Sequence, residues 1–172
     1  MTSIRKATRK DIPLLSRKLI KLLEDRNSQV YQDNVTKFGI PEDYVRKAFA
    51  EETLLKAVKS KKSGFYLAFE DNEIIGFAQT VKQDATTTEL DRIIVFPEHE
   101  RKGIGTQLLA EAIEDLKKEG VHTIIVNAGK EETYARRFYE KNGFKLIKET
   151  TIQAPWGKKL DLAIYQLQLE SS

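Results

Sequence analysis

The sequence contains no cysteine, only 4 prolines and 9 glycines, and no long run of apolar residues. The absence of cysteine excludes a disulfide framework, a thiolate zinc site and a cysteine nucleophile. No apolar run reaches the roughly 18 to 20 residues of a membrane-spanning helix, and the first residues are polar where a signal peptide would be apolar. We therefore expect a cytoplasmic protein whose chemistry does not depend on a thiol side chain.

The sequence also lacks a large excess of charge of either sign. The chain has 29 Lys and Arg against 26 Asp and Glu, a net charge of +3, and the two signs alternate along its length. Neither nucleic acid nor a membrane is an expected partner on this balance. His99 and His122 are single histidines that form no metal pair, and we assign no metal. The 172 residues, of which 40% are hydrophobic, predict a single domain over 1–172.

Hydrophobic spacing along the chain alternates between the periods typical of strands and of helices. The predicted strands cover residues 4–8, 65–69, 74–81, 90–96, 123–126, 144–152 and 160–169. The predicted helices cover a stretch that begins at Ile12, residues 42–59, a stretch from Ile104 to Gly120, and residues 131–142, with residues 27–40 as a loop. This order predicts an α/β fold in which a mixed sheet carries helices on its faces.

The loop between strand 90–96 and the following helix carries the clearest chemical signal. It reads Glu-Arg-Lys-Gly-Ile-Gly-Thr over residues 100–106. Free N–H groups at the start of a helix and the positive end of its dipole favour an anion, and glycines let a phosphate approach the backbone. A pyrophosphate is the natural occupant, although a plain strand-to-helix turn has the same spacing. Leu108 replaces the third glycine of a dinucleotide fingerprint, and no Walker hydroxyl follows Lys102, so neither nicotinamide nor ATP is favoured.

Two motifs together resemble the GNAT family of N-acetyltransferases. The first is strand 90–96 with Pro97 and the Arg-Lys-Gly-Ile-Gly run, and the second is Phe-Tyr-Glu-Lys-Asn-Gly-Phe at residues 138–144. In element order the resemblance covers nearly the whole chain. It implies a mostly antiparallel sheet of six to seven strands flanked by about four helices, with a V-shaped split between two central parallel strands. It also implies acetyl transfer from acetyl-CoA, the cosubstrate, to an amine.

The resemblance further implies which residues bind acetyl-CoA. Backbone groups of Ile93, Ile94 and Val95 would bind the pantetheine arm and the acetyl carbonyl. The pyrophosphate would be held by the loop residues Arg101, Lys102, Gly103, Ile104, Gly105 and Thr106.

Two positions depart from the family pattern. Glu100 stands where the family usually has Gln or Arg. Glu132 stands where an asparagine often contacts the pantetheine arm, and an ionised glutamate accepts but does not donate a hydrogen bond. Asn127 is the candidate to replace that contact, and absence of the contact is the alternative.

Two residues are candidates for proton transfer, because an amine must be neutral to attack a thioester and the departing thiolate must be protonated. By resemblance, Tyr139 is the acid that faces the CoA sulfur and Glu89 is the base, acting through water. Strict alternation along the strand would place Asp91 on the face of Glu89. The structural alternatives are that Tyr139 only packs on its helix face and that Glu89 is a solvated strand end.

The acceptor is expected to be a primary amine, either a small molecule such as a polyamine or an amino group of a peptide or protein. Its pocket would be walled by residues 27–44 and by the 153–159 loop, which carries Trp156, and would be completed by the start of the hairpin region near Glu89. Direct attack in a ternary complex is expected, since no cysteine can carry the acyl group. A non-catalytic acyl-CoA-binding or regulatory module of the same fold is the alternative, favoured by Glu100 and Glu132. Terminal hairpins of the family often pair across a dimer axis, which suggests a homodimer.

Overall fold

The computed structural model describes residues 1–170 and has one seven-stranded sheet. Its strands are β1 (Thr2–Lys6), β2 (Ser63–Glu70), β3 (Glu73–Lys82), β4 (Thr87–Val95), β5 (Thr123–Gly129), β6 (Lys145–Gln153) and β7 (Lys159–Gln168). The spatial order is β1-β2-β3-β4-β5-β7-β6. Every neighbouring pair is antiparallel except β4 and β5, which are parallel. The predicted fold class, a mixed and mostly antiparallel sheet, is confirmed.

Helices cover both faces of this sheet. They are α1 (Ile12–Glu24), α2 (Gln29–Tyr31), α3 (Glu42–Ala48), α4 (Glu51–Lys59), α5 (Ile104–Lys118) and α6 (Thr133–Lys141). Apolar residues of α1, α3 and α4 pack on one face, around Phe65 and Phe77. Apolar residues of α5 and α6 pack on the other. None of the helices in residues 1–170 combines the length and the apolar character that a bilayer crossing requires.

The segment predicted as a loop, residues 27–40, is partly helical. Ser28 starts α2, because its hydroxyl accepts a hydrogen bond from the Tyr31 N–H at 3.1 Å. A π-helical segment, Gln32–Lys37, follows α2, and Gly39 in the left-handed conformation (φ 62°) comes after it. The prediction was wrong because a π-helix bonds residue i to i+5 and therefore lacks the 3.6-residue period.

The predicted helix over residues 42–59 is two helices, α3 and α4. The chain breaks between them at Ala50, which is extended (φ −65°, ψ 145°). Phe49, 1% exposed, is buried at this break, and its carbonyl accepts a hydrogen bond from the Ser16 hydroxyl of α1 at 2.7 Å. Packing against α1 thus satisfies a carbonyl that a continuous helix would have bonded internally. Together with α2, the break raises the number of helices above the predicted four.

Candidate active site

β4 and β5 separate soon after they meet. They pair only at Thr87 with Thr123, Thr88 with Ile124, and Glu89 with Ile125. Beyond these positions β4 continues against β3, and β5 continues against β7. The two strands therefore diverge from Glu89 onward, and the sheet contains the V-shaped split that the family resemblance implies.

The β4 edge of the split has free backbone groups. Ile93, Ile94 and Val95 pair with residues 76–78 of β3 on one side. On their other side, no β5 residue within the described chain pairs with them. Since a strand presents backbone groups to both edges, half of theirs face the split. This edge can therefore bind an extended chain such as pantetheine.

The loop before α5 presents a row of N–H groups. Gly103 (φ 76°) is left-handed, and the first hydrogen bond of the helix runs from the Gln107 N–H to the Gly103 carbonyl at 3.1 Å. Within residues 1–170, no protein acceptor bonds the N–H groups of Arg101–Thr106. The side chains of Arg101 and Lys102 are exposed, whereas Ile104 is in the core and can offer a ligand only its backbone. Free N–H groups at a helix start, beside two cations, fit a pyrophosphate.

The two sequence motifs contact each other through Gly105. A methyl group at Gly105 would lie 3.3 Å from the ring of Phe138 and 3.9 Å from Val95. A side chain larger than hydrogen would therefore require the Phe138 ring to shift by a few tenths of an ångström. This close approach explains the second glycine of the loop.

Glu89 lies at the point where the strands diverge, and a residue across the split holds it. Asn127 Nδ2 of β5 donates to Glu89 Oε1 at 3.0 Å, and Gln83 Nε2 donates to Oε2 at 3.3 Å. Burial, and then the charge of Asp91, raise the pKa of Glu89, while the Asn127 hydrogen bond acts in the opposite direction. Asn127, predicted as a pantetheine contact, is thus also a partner of the predicted base.

A β-bulge at Asp91 changes which side chains share a face. Thr80 pairs with Leu90 and Gln79 with Arg92, so Asp91 is an extra residue in β4. The expected strict alternation fails here. The charge of Asp91 still acts on Glu89, but Arg92 now reaches the α1–α4 face, where its guanidinium carbon lies 5.4 Å from the centroid of the Phe49 ring.

Tyr139 is 9% exposed and lies in the apolar cluster beside the split. Its ring centroid is 5.6 Å from those of Phe138 and Phe144. Its cluster includes side chains from both diverging strands, namely Leu90, Ile93, Val126 and Ala128. Burial, and then the charge of Glu132, raise the pKa of Tyr139, so its phenol stays protonated at neutral pH.

Glu89 and Tyr139 lie on opposite sides of the sheet. Leu90 packs in the Tyr139 cluster on the α5–α6 face. Glu89 precedes Leu90 on the regular part of β4, and adjacent residues of a strand face opposite sides. The predicted base and the predicted acid therefore lie on the two sides of the sheet.

Glu132 has a different partner from the asparagine it replaces. Its Oε1 accepts a hydrogen bond from the Gly129 N–H at 2.8 Å, at the turn between β5 and α6. The carboxylate therefore satisfies a backbone donor and places a negative charge near Tyr139.

The two predicted walls of the acceptor pocket meet. Trp156 Nε1 donates to the Phe38 carbonyl at 2.8 Å, and Lys158 Nζ donates to the Lys37 carbonyl at 2.7 Å. A methyl group at Gly129, the last residue of β5, would lie 3.2 Å from the Phe38 ring. The 153–159 loop is thus fastened to residues 37–38 near the end of β5.

Gln79 and Arg92 were not predicted as site residues. They lie on the α1–α4 side of the sheet, as Glu89 does. The available signal was the pair of charges, Asp91 and Arg92, just before an apolar run in the same strand. The hydrogen bond between Asn127 and Glu89 was also missed, since the residues are 38 positions apart.

Known proteins resemble this chain in sequence. A model of the acetyltransferase (GNAT) family matches residues 21–144. A spermidine N(1)-acetyltransferase of Thermoplasma acidophilum is 34% identical over 61% of this chain and 67% of its own length. A [ribosomal protein bS18]-alanine N-acetyltransferase of Haemophilus influenzae is 43% identical over 45% of this chain, which spans about half (52%) of that relative.

Solved structures share the fold. The crystal structure of a PaiA N-acetyltransferase from Thermoplasma acidophilum, in complex with coenzyme A, has a TM-score of 0.71 and 24% identity and covers 98% of this chain and 99% of its own. The fold, the split and the family match define an acyltransferase. The chain belongs to the acetyltransferase (GNAT) family, whose cosubstrate is acetyl-CoA.

Proposed function

We propose that this chain transfers the acetyl group of acetyl-CoA to a primary amine by direct attack in a ternary complex. The opening between β4 and β5, with Glu89 and Tyr139 on its two sides, is the observation that carries the proposal. The relatives named for spermidine and for a ribosomal-protein alanine have different acceptors, but both names denote amines. An amine is therefore the shared chemistry.

Acetyl-CoA binding is assigned to backbone groups that have no partner within residues 1–170. The free N–H groups of Arg101–Thr106, with the cations of Arg101 and Lys102, would hold the pyrophosphate. The β4 edge at Ile93–Val95 would bind the pantetheine arm and the acetyl carbonyl. Bound there, acetyl-CoA supplies an activated acyl group at the split.

Proton transfer is assigned to the two residues that flank the split. The acceptor nitrogen forms a bond to the acetyl carbon, and the carbon–sulfur bond breaks. Glu89 takes the proton that the nitrogen loses, through a water molecule, and Tyr139 donates a proton to the departing sulfur. The Asn127 hydrogen bond orients Glu89, and burial keeps the Tyr139 phenol protonated.

The test is release of free CoA thiol from acetyl-CoA, across polyamines, amino sugars, amino acids and short peptides, with a control that contains no amine. We expect release that depends on an amine. Tight binding of acetyl-CoA, with release no greater than in the control for every acceptor and for a cell-extract acceptor pool, would contradict the proposal and favour a non-catalytic module.

The left-handed glycine of the loop provides a prediction with a matched control. Gly103→Ala should lower the free energy of unfolding by about 1–2 kcal/mol, because a Cβ disfavours positive φ, and should weaken acetyl-CoA binding about tenfold by hindering phosphate approach. Gly120 has a similar φ of 82°, and, as at Gly103, an added Cβ would meet nothing within 4 Å. Gly120→Ala should therefore lose similar stability and retain affinity. Calorimetric titration measures the affinity for acetyl-CoA, and thermal melting measures the stability. If the two variants lost the same affinity, the loop would not be part of the cofactor site.

The contact between the two walls provides another prediction. Trp156→Phe keeps an aromatic ring but removes the donor to the Phe38 carbonyl. We expect the KM for the amine to rise about three- to tenfold, since a loosened wall positions the acceptor less well. The KM for acetyl-CoA should stay unchanged. Steady-state kinetics with each substrate varied will decide, and a change confined to acetyl-CoA would place Trp156 outside the acceptor pocket.

A further inference from the structure

The α1–α4 face of the sheet holds a buried amide that the reaction above does not use. Gln79 of β3 and Arg92 of β4 are register partners, so their side chains are neighbours on one face. Gln79 is 6% exposed, and its Oε1 is buried with no hydrogen-bond partner among the described residues. A buried amide oxygen without a hydrogen bond costs free energy, and a ligand that donates a hydrogen bond to it would remove that cost.

Arg92 is a cation in apolar surroundings. Its side chain is 25% exposed and lies over the Phe49 ring. Its one polar contact within residues 1–170 joins Nε to Asp91 Oδ2 at 3.4 Å. Burial lowers the pKa of Arg92, against the opposing effect of Asp91. The two terminal nitrogens therefore keep their donors, in the planar fork that matches a carboxylate.

The distance between Arg92 and Glu89 along the sheet sets how far apart the two charges of an acceptor can be. Val81 pairs with Glu89 and Gln79 pairs with Arg92, and two residues of strand span roughly 7 Å. The carboxylates of Glu89 and Asp91 attract an ammonium group, while Arg92 attracts an anion. The face is thus suited to a compact molecule that carries both charges, whereas a polyamine would bring a second cation toward Arg92.

We propose that the acceptor is an amine with a carboxylate a few bonds from the reacting nitrogen, as in an amino acid. Arg92 binds the carboxylate, and Gln79 Oε1 accepts a hydrogen bond from an N–H of the acceptor. The inference rests on the proposed function, because it names the substrate class of the same site. Arg92 and Gln79 determine specificity and take no part in proton transfer.

The test uses pairs of acceptors that differ only in the carboxylate: lysine and cadaverine, ornithine and putrescine, methionine and 3-(methylthio)propylamine. With the full chain and acetyl-CoA, we expect kcat/KM for at least one carboxylated member to exceed that of its partner by about tenfold or more. Calorimetric titration of the same pair into the CoA-loaded protein should show the same order of affinity.

Variants of Arg92 separate binding from folding. Arg92→Gln should lower kcat/KM for the carboxylated acceptor about 50-fold, through loss of a charge-assisted hydrogen bond, and change that of its partner less than about threefold. The kcat/KM of Arg92→Lys for the carboxylated acceptor should lie between those of wild type and Arg92→Gln, because lysine keeps the positive charge but lacks the forked guanidinium group. Arg17→Gln, an exposed arginine of α1, is the matched control and should have no effect.

A second variant covers the case in which Arg92→Gln does not fold, which thermal melting will reveal. Gln79→Glu places a carboxylate beside Arg92 and should abolish the preference by competing with the acceptor. Equal losses for both members of a pair, or a preference for the decarboxylated members, would overturn the inference and leave the transferase intact. Failure of every amine to release CoA would overturn the transferase proposal and this inference together.

Discussion

Replacing Tyr139 by phenylalanine is expected to lower kcat by about 100- to 1,000-fold, the usual contribution of a positioned general acid. The ring contacts with Phe138 and Phe144 remain in this variant, and only the hydroxyl is lost. Within the described residues, that hydroxyl makes no hydrogen bond that stability would depend on. The affinity for acetyl-CoA and the melting temperature should therefore be nearly unchanged, as titration and calorimetry can measure.

Tyr134 supplies the matched control for this variant. It lies on the same helix, α6, but its side chain is exposed. Tyr134→Phe should leave kcat at the wild-type value. If Tyr139→Phe also kept full turnover, Tyr139 would be a packing residue alone, and the proton for the sulfur would have to come from elsewhere.

Replacing Glu89 by glutamine is expected to lower kcat by about 100-fold, because the amide cannot accept the proton that the amine loses. The amide oxygen of the glutamine can still accept the hydrogen bond from Asn127. Gln83 can turn its own amide so that its oxygen accepts from the new NH2 group, so the fold should persist. Glu114 is an exposed residue on α5. Glu114→Gln serves as the control and should leave kcat unchanged. A Glu89→Gln variant as fast as wild type would exclude Glu89 as the base.

The pH profile gives Glu89 a second readout. Glu89 accepts a proton only when ionised, so kcat should fall as the pH drops through its pKa. Burial, and then Asp91, place that pKa above the ordinary value of 4.5. In the Glu89→Gln variant this fall of kcat at low pH should disappear. If the fall stayed at the same pH, it would reflect the titration of another group.

Elements with a strong local pattern were predictable from the sequence. α5 shows the 3.6-residue period, and its last residues precede a glycine, so its extent follows from neighbours in the chain. Asp71 and Asn72, which are residue types typical of a tight turn, have positive φ and connect β2 to β3. The order of elements indicated a parallel pair, but the split itself came only from the resemblance of two motifs to a known family.

Features that depend on distant contacts were not predictable. The break at Ala50 depends on a hydrogen bond between Phe49 and Ser16, which lie 33 positions apart. The bulge at Asp91 depends on the register of β4 against β3, and a one-residue slip changes which side chains share a face. The Gln79–Arg92 pair follows from that register. Residue types alone therefore indicated the loop that we propose for the cofactor, but not the charges that we propose for the acceptor.

The central claim is direct transfer of an acetyl group from acetyl-CoA to an amine nitrogen. The most direct measurement is a single turnover with deuterated acetyl-CoA and an amine acceptor, followed by mass spectrometry of the acceptor and of the protein. We expect labelled acetyl on the acceptor nitrogen, equal in amount to the CoA released, and no label on the protein. Label found only in free acetate, or held covalently on the protein before the amine is added, would contradict it.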